Sequence, residues 1–206
     1  TPYDPSRTTA AALAVSLGMA KASSRSALAG QFAQRDDAVR ATVNELARAA
    51  LVTLCVGESP DSVSVDELVR SALASDPVSS PTLGRLLAVV QDLLARDVAW
   101  FLMTRGDADR HYELWRQVMI MADDDLMAPA GTLCAFAAWL SGRGALASTA
   151  AERVAQVRPD YPFLELIIDI LVSGMSPDRW EGYRRSIAQI SAEGPSAGAV
   201  AGDAAG

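Results

Sequence analysis

Pro129-Ala-Gly-Thr-Leu-Cys-Ala-Phe-Ala-Ala-Trp-Leu-Ser-Gly-Arg-Gly-Ala-Leu-Ala-Ser-Thr-Ala-Ala-Glu-Arg-Val-Ala-Gln-Val-Arg-Pro-Asp-Tyr-Pro162 has the pattern of a helix, a glycine turn and a second helix of small residues stopped by proline. Its neighbours continue in the same manner. The chain has 206 residues, 50% of them hydrophobic. A chain of this length can bury about 70% of its unfolded surface. The apolar mass is mostly Ala, Leu and Val, and Ala and Leu favour helix. These features predict an all-α protein, an irregular bundle of about nine or ten helices.

The hairpin carries a finer signal. In a tetratricopeptide unit small residues let two antiparallel helices approach closely, glycine makes the tight turn, and proline ends the second helix. Ala135, Gly142, Ala147, Val154 and Pro159 fall at the spacings for those roles. The helix from Phe163 fits as the opening of another unit, but Gly174-Met-Ser-Pro177 departs from the pattern. A single tetratricopeptide-like hairpin near the C-terminus and an ordinary Ala-rich hairpin both remain open. On the first reading the concave face shows Thr132, Phe136, Trp139 and Leu140, the candidate partner-binding residues; on the second, Phe136 and Trp139 belong to the core.

Outward from the hairpin, Asp4 or Ser6 caps a first helix of about 8 to 20, and a shorter one covers Ser24 to Gln34. A third follows Asp36 and Asp37, with Val39, Val43, Leu46, Ala47, Ala50 and Leu54 on one stripe and Gly57 as a stop; Leu51 to Val56 reads alternatively as a short strand. Ser64-Val-Asp-Glu67 forms a capping box for a helix to about Ser75, and Asp76-Pro77 breaks the chain. Thr82 to Met103 is a long apolar segment divided at Arg96-Asp97 and ended by Gly106. Helices follow over Asp107 to Met121, Pro129 to Ser141, Ala145 to Val157, Pro162 to Ser173, and from Ser176-Pro177 onward. Residues 1–191 form a single helical domain, with a subdivision possible near 76–81, and 192–206 a tail too poor in large apolar groups to order.

Chemistry is sparse by comparison. His111 is the single histidine, with Asp107 and Glu113 near it in sequence but no identifiable nucleophile. Asp123-Asp-Asp125 lacks the spacing and glycine of a calcium loop and reads as a loop and helix cap. Gly142-Arg-Gly-Ala-Leu-Ala147 satisfies a dinucleotide-binding fingerprint, yet the residues before it read as helix where a strand is required. No catalytic residue, metal ligand or cofactor site is therefore predicted.

The net charge of −7 opposes nucleic acid, and the densest basic run, Arg179 to Arg185, is interleaved with Glu181 and preceded by Asp178. Cys55 and Cys134 lie among apolar neighbours, where a reduced cysteine acts as a small hydrophobe; a disulfide between them stays open. No run of 18 apolar residues suggests a membrane span. A cytoplasmic location is expected. The start at Thr1 suggests a processed product or a fragment.

Three stretches carry a resemblance: Asp4 to Leu28; Leu86 to Trp100 with its Ala-Arg-Asp-Val-Ala-Trp ending; and Leu114-Trp115 followed by Pro129 to Trp180. In these the chain resembles the C-terminal region of an actinobacterial family of two-part proteins of unknown function. Ala138 to Ala147 and Arg158 to Pro162 are its most specific pieces. The resemblance implies a helical portion normally joined to an N-terminal α/β portion, and it implies no activity. The expected function is a non-catalytic interaction or regulatory module that binds a protein partner or its own N-terminal portion, with no nucleic acid or membrane partner. The alternative is a helical accessory domain of an enzyme whose active site is completed by that portion. The oligomeric state is not legible.

Overall fold

Every residue from Leu126 to Leu140 is buried, on all sides of its helix. A helix apolar all the way round belongs in the middle of a bundle. The computed structural model describes residues 25–35, 37–56 and 62–193. Among the described residues there are ten helices and no strand, the all-α bundle that the composition predicts. They are α1 (Arg25–Gly30), α2 (Ala38–Val56), α3 (Ser62–Leu73), α4 (Ser80–Val89), α5 (Leu93–Phe101), α6 (Ala108–Met121), α7 (Asp124–Leu140), α8 (Gly144–Val157), α9 (Pro162–Val172) and α10 (Asp178–Glu193).

The central α7 touches α4, α5, α6, α8 and α9, while α2 packs on α4 and α3 on α5. One apolar core runs from Phe32 to Trp180 and includes Val65 and Val69 before residues 76–81 and Leu86 and Leu87 after them. Among the described residues, no helix is long and apolar enough to cross a membrane.

The turn between α7 and α8 is built by its glycine. Gly142 has φ +80°, where a Cβ would be strained. Its N–H donates to the Trp139 carbonyl at 2.9 Å and that of Arg143 to Ala138 at 2.8 Å, the paired bonds of a Schellman cap. Beyond the turn, α8 approaches α7 tightly at Gly131, which the sequence reading did not single out. A Cβ there would stand 2.4 Å from Val154 Cγ2 and 3.4 Å from Met119 Cε.

Gly131→Ala therefore sets two effects against each other. Alanine in a helix is favoured over glycine by about 1 kcal/mol. Overpacking costs about 1–3 kcal/mol, and Val154 cannot turn away, because it is fully buried and a β-branched side chain has essentially one rotamer in a helix. Thermal unfolding of Gly131→Ala should show a net loss of about 1 kcal/mol. Adding Val154→Ala should cost less than Val154→Ala alone in the parent. A raised melting temperature for Gly131→Ala would contradict the close approach.

Several boundaries differ from the sequence reading. Helix α7 begins at Asp124 rather than at Pro129, and carries that proline inside it. Asp124 and Asp125 suit the positive end of the helix dipole, and burial of Leu126 and Met127 outweighs the one backbone bond the proline forfeits. The segment expected to divide at Arg96-Asp97 breaks instead before Leu93. There Asp92 Oδ1 accepts from the Ala95 amide at 2.9 Å and caps α5.

Helix α5 ends at Phe101, ahead of Gly106. Helix α3 begins at Ser62, so Ser64 lies within its first turn and is not the cap. The stretch 51–56 is helix and not strand, α1 stops at Gly30, and α10 reaches Glu193. The helix over 8 to 20, the stop at Gly57 and residues 194–206 lie outside the described residues.

Candidate functional site

Helix α10 is a mixed-charge helix that polar and aromatic contacts tie to the bundle. The Trp180 indole N–H donates to the Met103 carbonyl at 2.9 Å, and the Arg105 amide donates to Glu181 at 2.9 Å. Arg105 also pairs with Asp178. Arg184 Nε donates to the Phe101 carbonyl at 2.9 Å, its guanidinium 5.6 Å from the centre of the Phe101 ring.

Three of the four tryptophans meet at this junction. Trp180 stacks on Trp100 with ring centroids 4.9 Å apart at 24°, and meets Phe136 edge-on at 4.9 Å. Phe136 in turn touches Trp139 at 5.2 Å, and Trp100 meets Phe163 at 5.0 Å. Aromatic pairs of this kind contribute about 0.5–1.5 kcal/mol beyond area burial. Arg96 extends the cluster: its guanidinium sits 4.6 Å from the centre of the Phe163 ring and donates to the Tyr161 hydroxyl at 3.0 Å.

An apolar cleft of about 500 Å³ opens over this cluster. Phe136 and the three tryptophans back it, while Leu166 and Ile170 of α9 and Tyr183 of α10 form the walls. A Schellman turn after α9, in which the Met175 amide donates to the Ile170 carbonyl, brings Met175 to the cleft beside Ile170. The Trp139 indole then donates to the Met175 carbonyl at 3.0 Å, holding the turn against α7. Arg179 is the one charged residue of the lining.

The four residues picked out from sequence divide here. Phe136 and Trp139 both line the cleft, Phe136 fully buried and Trp139 with 7% of its surface exposed. Thr132 and Leu140 are fully buried and do not line it, contrary to a shared concave face. The Thr132 hydroxyl donates within its own helix, to the carbonyls of Ala128 at 3.0 Å and Pro129 at 2.8 Å. Trp100, Leu166, Ile170, Met175, Arg179, Trp180 and Tyr183 were missed. The available signal was the scarcity of tryptophan, since three of four gather at one place.

The other candidate groups are accounted for by packing. His111 is 1% exposed and lines neither this cleft nor a second one of about 420 Å³ between α2, α3 and α4. Burial lowers its pKa to about 4, against the pull of Asp107, whose carboxylate lies 3.9 Å from Nε2. Cys134 is a free, fully buried thiol whose pKa burial drives up, which suppresses the reactive thiolate. Asp97 pairs with its neighbour Arg96 at 2.5 Å. Gly142-Arg-Gly follows a helix, so the strand that a dinucleotide fingerprint requires is not there.

The three consecutive aspartates are taken up by arginines from elsewhere. Asp123 pairs with Arg40 at 2.5 Å and Arg48 at 2.9 Å, Asp125 with Arg48 at 2.9 Å, and Asp124 with Arg153 at 2.9 Å. Hydrogen bonds from Arg48 hold the Asp125 carboxyl below its ordinary pKa. No group of three or more His, Cys, Asp or Glu among the described residues is arranged to hold a metal ion.

Asn44 supports this turn from α2, donating to the Met121 carbonyl at 2.7 Å and accepting from the Asp123 amide at 2.8 Å. Exposed ion pairs contribute about 0–1 kcal/mol each, whereas orphaned buried polar groups cost about 1–3 kcal/mol. Asn44→Ala should therefore cost about 2 kcal/mol in urea unfolding and Arg48→Ala under about 1 kcal/mol. The reverse order would place the anchoring in the ion pairs.

Ten helices, one of them buried on all sides, with an aromatic cleft where α9 and α10 meet α5 and α7, define an all-helical bundle domain. The family described as a domain of unknown function (DUF4192) matches residues 1–178, and the chain belongs to it. The match ends where α10 begins, so Arg179, Trp180 and Tyr183 of the cleft lie just beyond it. No curated protein and no solved structure matches the chain.

Proposed function

We propose that this domain is a non-catalytic interaction module whose aromatic cleft receives the apolar side chains of a protein partner. The observation that carries the reading is the composition of the cleft: tryptophan, tyrosine, phenylalanine and methionine with an arginine at the lip, the residue types enriched at protein interfaces. Leu166 and Tyr183 keep 38% and 53% of their surface exposed, so apolar area is left over for a partner to cover. The α7–α8 hairpin, with its glycine turn and its close approach at Gly131, supports a tetratricopeptide-like building unit.

Leu166→Lys tests the reading, because the position is half-exposed and the variant should fold. A purified partner first captured by the parent protein should lose at least tenfold in affinity for Leu166→Lys at unchanged melting temperature, the loss expected of a central apolar anchor. Phe136→Ala is the poorer test, since Phe136 is fully buried and its truncation costs about 3–5 kcal/mol of folding stability. Equal binding of both proteins would remove the cleft from the reading. Turnover of a substrate by this domain would remove the non-catalytic part.

A further inference from the structure

We infer, resting on that reading, that the partner presents an amphipathic helix whose apolar face enters the cleft and whose flank carries an acidic residue for Arg179. Arg179 is exposed, and its side chain makes no hydrogen bond or ion pair among the described residues. The arginines around it are engaged: Arg105 with Asp178, Arg184 with Phe101 and Glu181, Arg185 with the Glu181 carbonyl.

Two carboxylates, Asp178 and Glu181, thus stand against four arginines at the α10 edge, whereas the α9 wall carries the exposed Glu165 and Asp169. The positive excess is confined to the α10 side, in a chain whose net charge is −7. Apolar walls beside an unpaired arginine suit an apolar ligand that brings its own negative charge on the α10 side. The walls are two helices, α9 and α10, over a floor from α5 and α7, and such grooves take a third helix by its residues at spacings of three and four.

The test is a selection of displayed amphipathic helical peptides on the full chain, with counter-selection on Leu166→Lys. Enriched peptides should share large apolar residues at helical spacing and one Asp or Glu beside them. The synthetic winner should lose about fivefold on Arg179→Glu, the upper end for an exposed pair. Its acid→Lys counterpart should regain that loss on Arg179→Glu alone.

Winners without an acid, or with unchanged affinity for Arg179→Glu, overturn this inference and leave the cleft reading standing. If counter-selection on Leu166→Lys removes every peptide that binds the parent, the cleft reading falls as well. Self-association of the parent that is abolished in Leu166→Lys would make a second copy the occupant and overturn the inference. Decanoate that binds the parent where no peptide does would make the occupant a small acid, with the same result.

Discussion

Trp180→Ala is expected to release α10 from the bundle. The residue is 6% exposed, stacks on Trp100, abuts Phe136 and ties its indole to the Met103 carbonyl. Truncating a buried tryptophan costs about 3–5 kcal/mol, and the orphaned carbonyl adds to it. Urea unfolding followed by circular dichroism should show a loss of that size. Trypsin should cut first at Arg179, Arg184 and Arg185, since a detached helix exposes its backbone. Trp180→Phe, which retains a ring against Trp100, should lose less than half as much. A loss under about 1 kcal/mol for Trp180→Ala would mean that the aromatic junction does not hold α10. The cleft depends on that junction, so the outcome also decides whether α10 forms one of its walls.

Stability should fall by about 3 kcal/mol on account of His111 alone between pH 7 and pH 4. An exposed histidine titrates near its ordinary value of 6.5, whereas buried His111 holds out to about 4. As the pH falls through that window the unfolded chain binds a proton that the folded chain refuses. The folded state therefore loses ground, and the loss is complete below about 4. Asp107 opposes the shift without cancelling it, because its Oδ1 already accepts from the Thr104 amide and hydroxyl at 2.8 Å.

His111→Leu should remove this component while leaving the acid sensitivity of the carboxylates. Asp37 and Asp125 are held below their ordinary pKa, Asp37 chiefly by the Arg40 amide and Asp125 by Arg48. The difference between the two unfolding curves against pH therefore isolates His111. Parallel curves would mean that the folded protein carries His111 protonated, paired with Asp107.

Much of the helical layout was legible because it rests on local rules. Ala and Leu favour helix, Gly142 supplies the turn between α7 and α8, and the Ser176-Pro177 step precedes α10. Boundaries set by tertiary burial were read wrongly. Pro129 reads as a helix start, yet the buried residues on both sides of it make it an interior position. Asp92 caps α5 at a break which an unbroken apolar run conceals.

The candidate site was half legible. Phe136 and Trp139 share a face of one helix, so a helical spacing rule finds them together. Thr132 and Leu140 came with them by the same rule and do not line the cleft, because Thr132 satisfies its hydroxyl inside α7 and both are buried there.

The sequence by itself determined that this chain folds as helices around an Ala-rich hairpin, since propensity, periodicity and turn chemistry act over a few residues. Only the tertiary structure decided that Trp100, Trp139 and Trp180 share one cleft, that three consecutive aspartates are tied by arginines from α2 and α8, and that Arg179 is left unpaired among the described residues. The physical reason is sequence separation. Burial and ion pairing join residues tens of positions apart, and which of them meet depends on how whole helices pack.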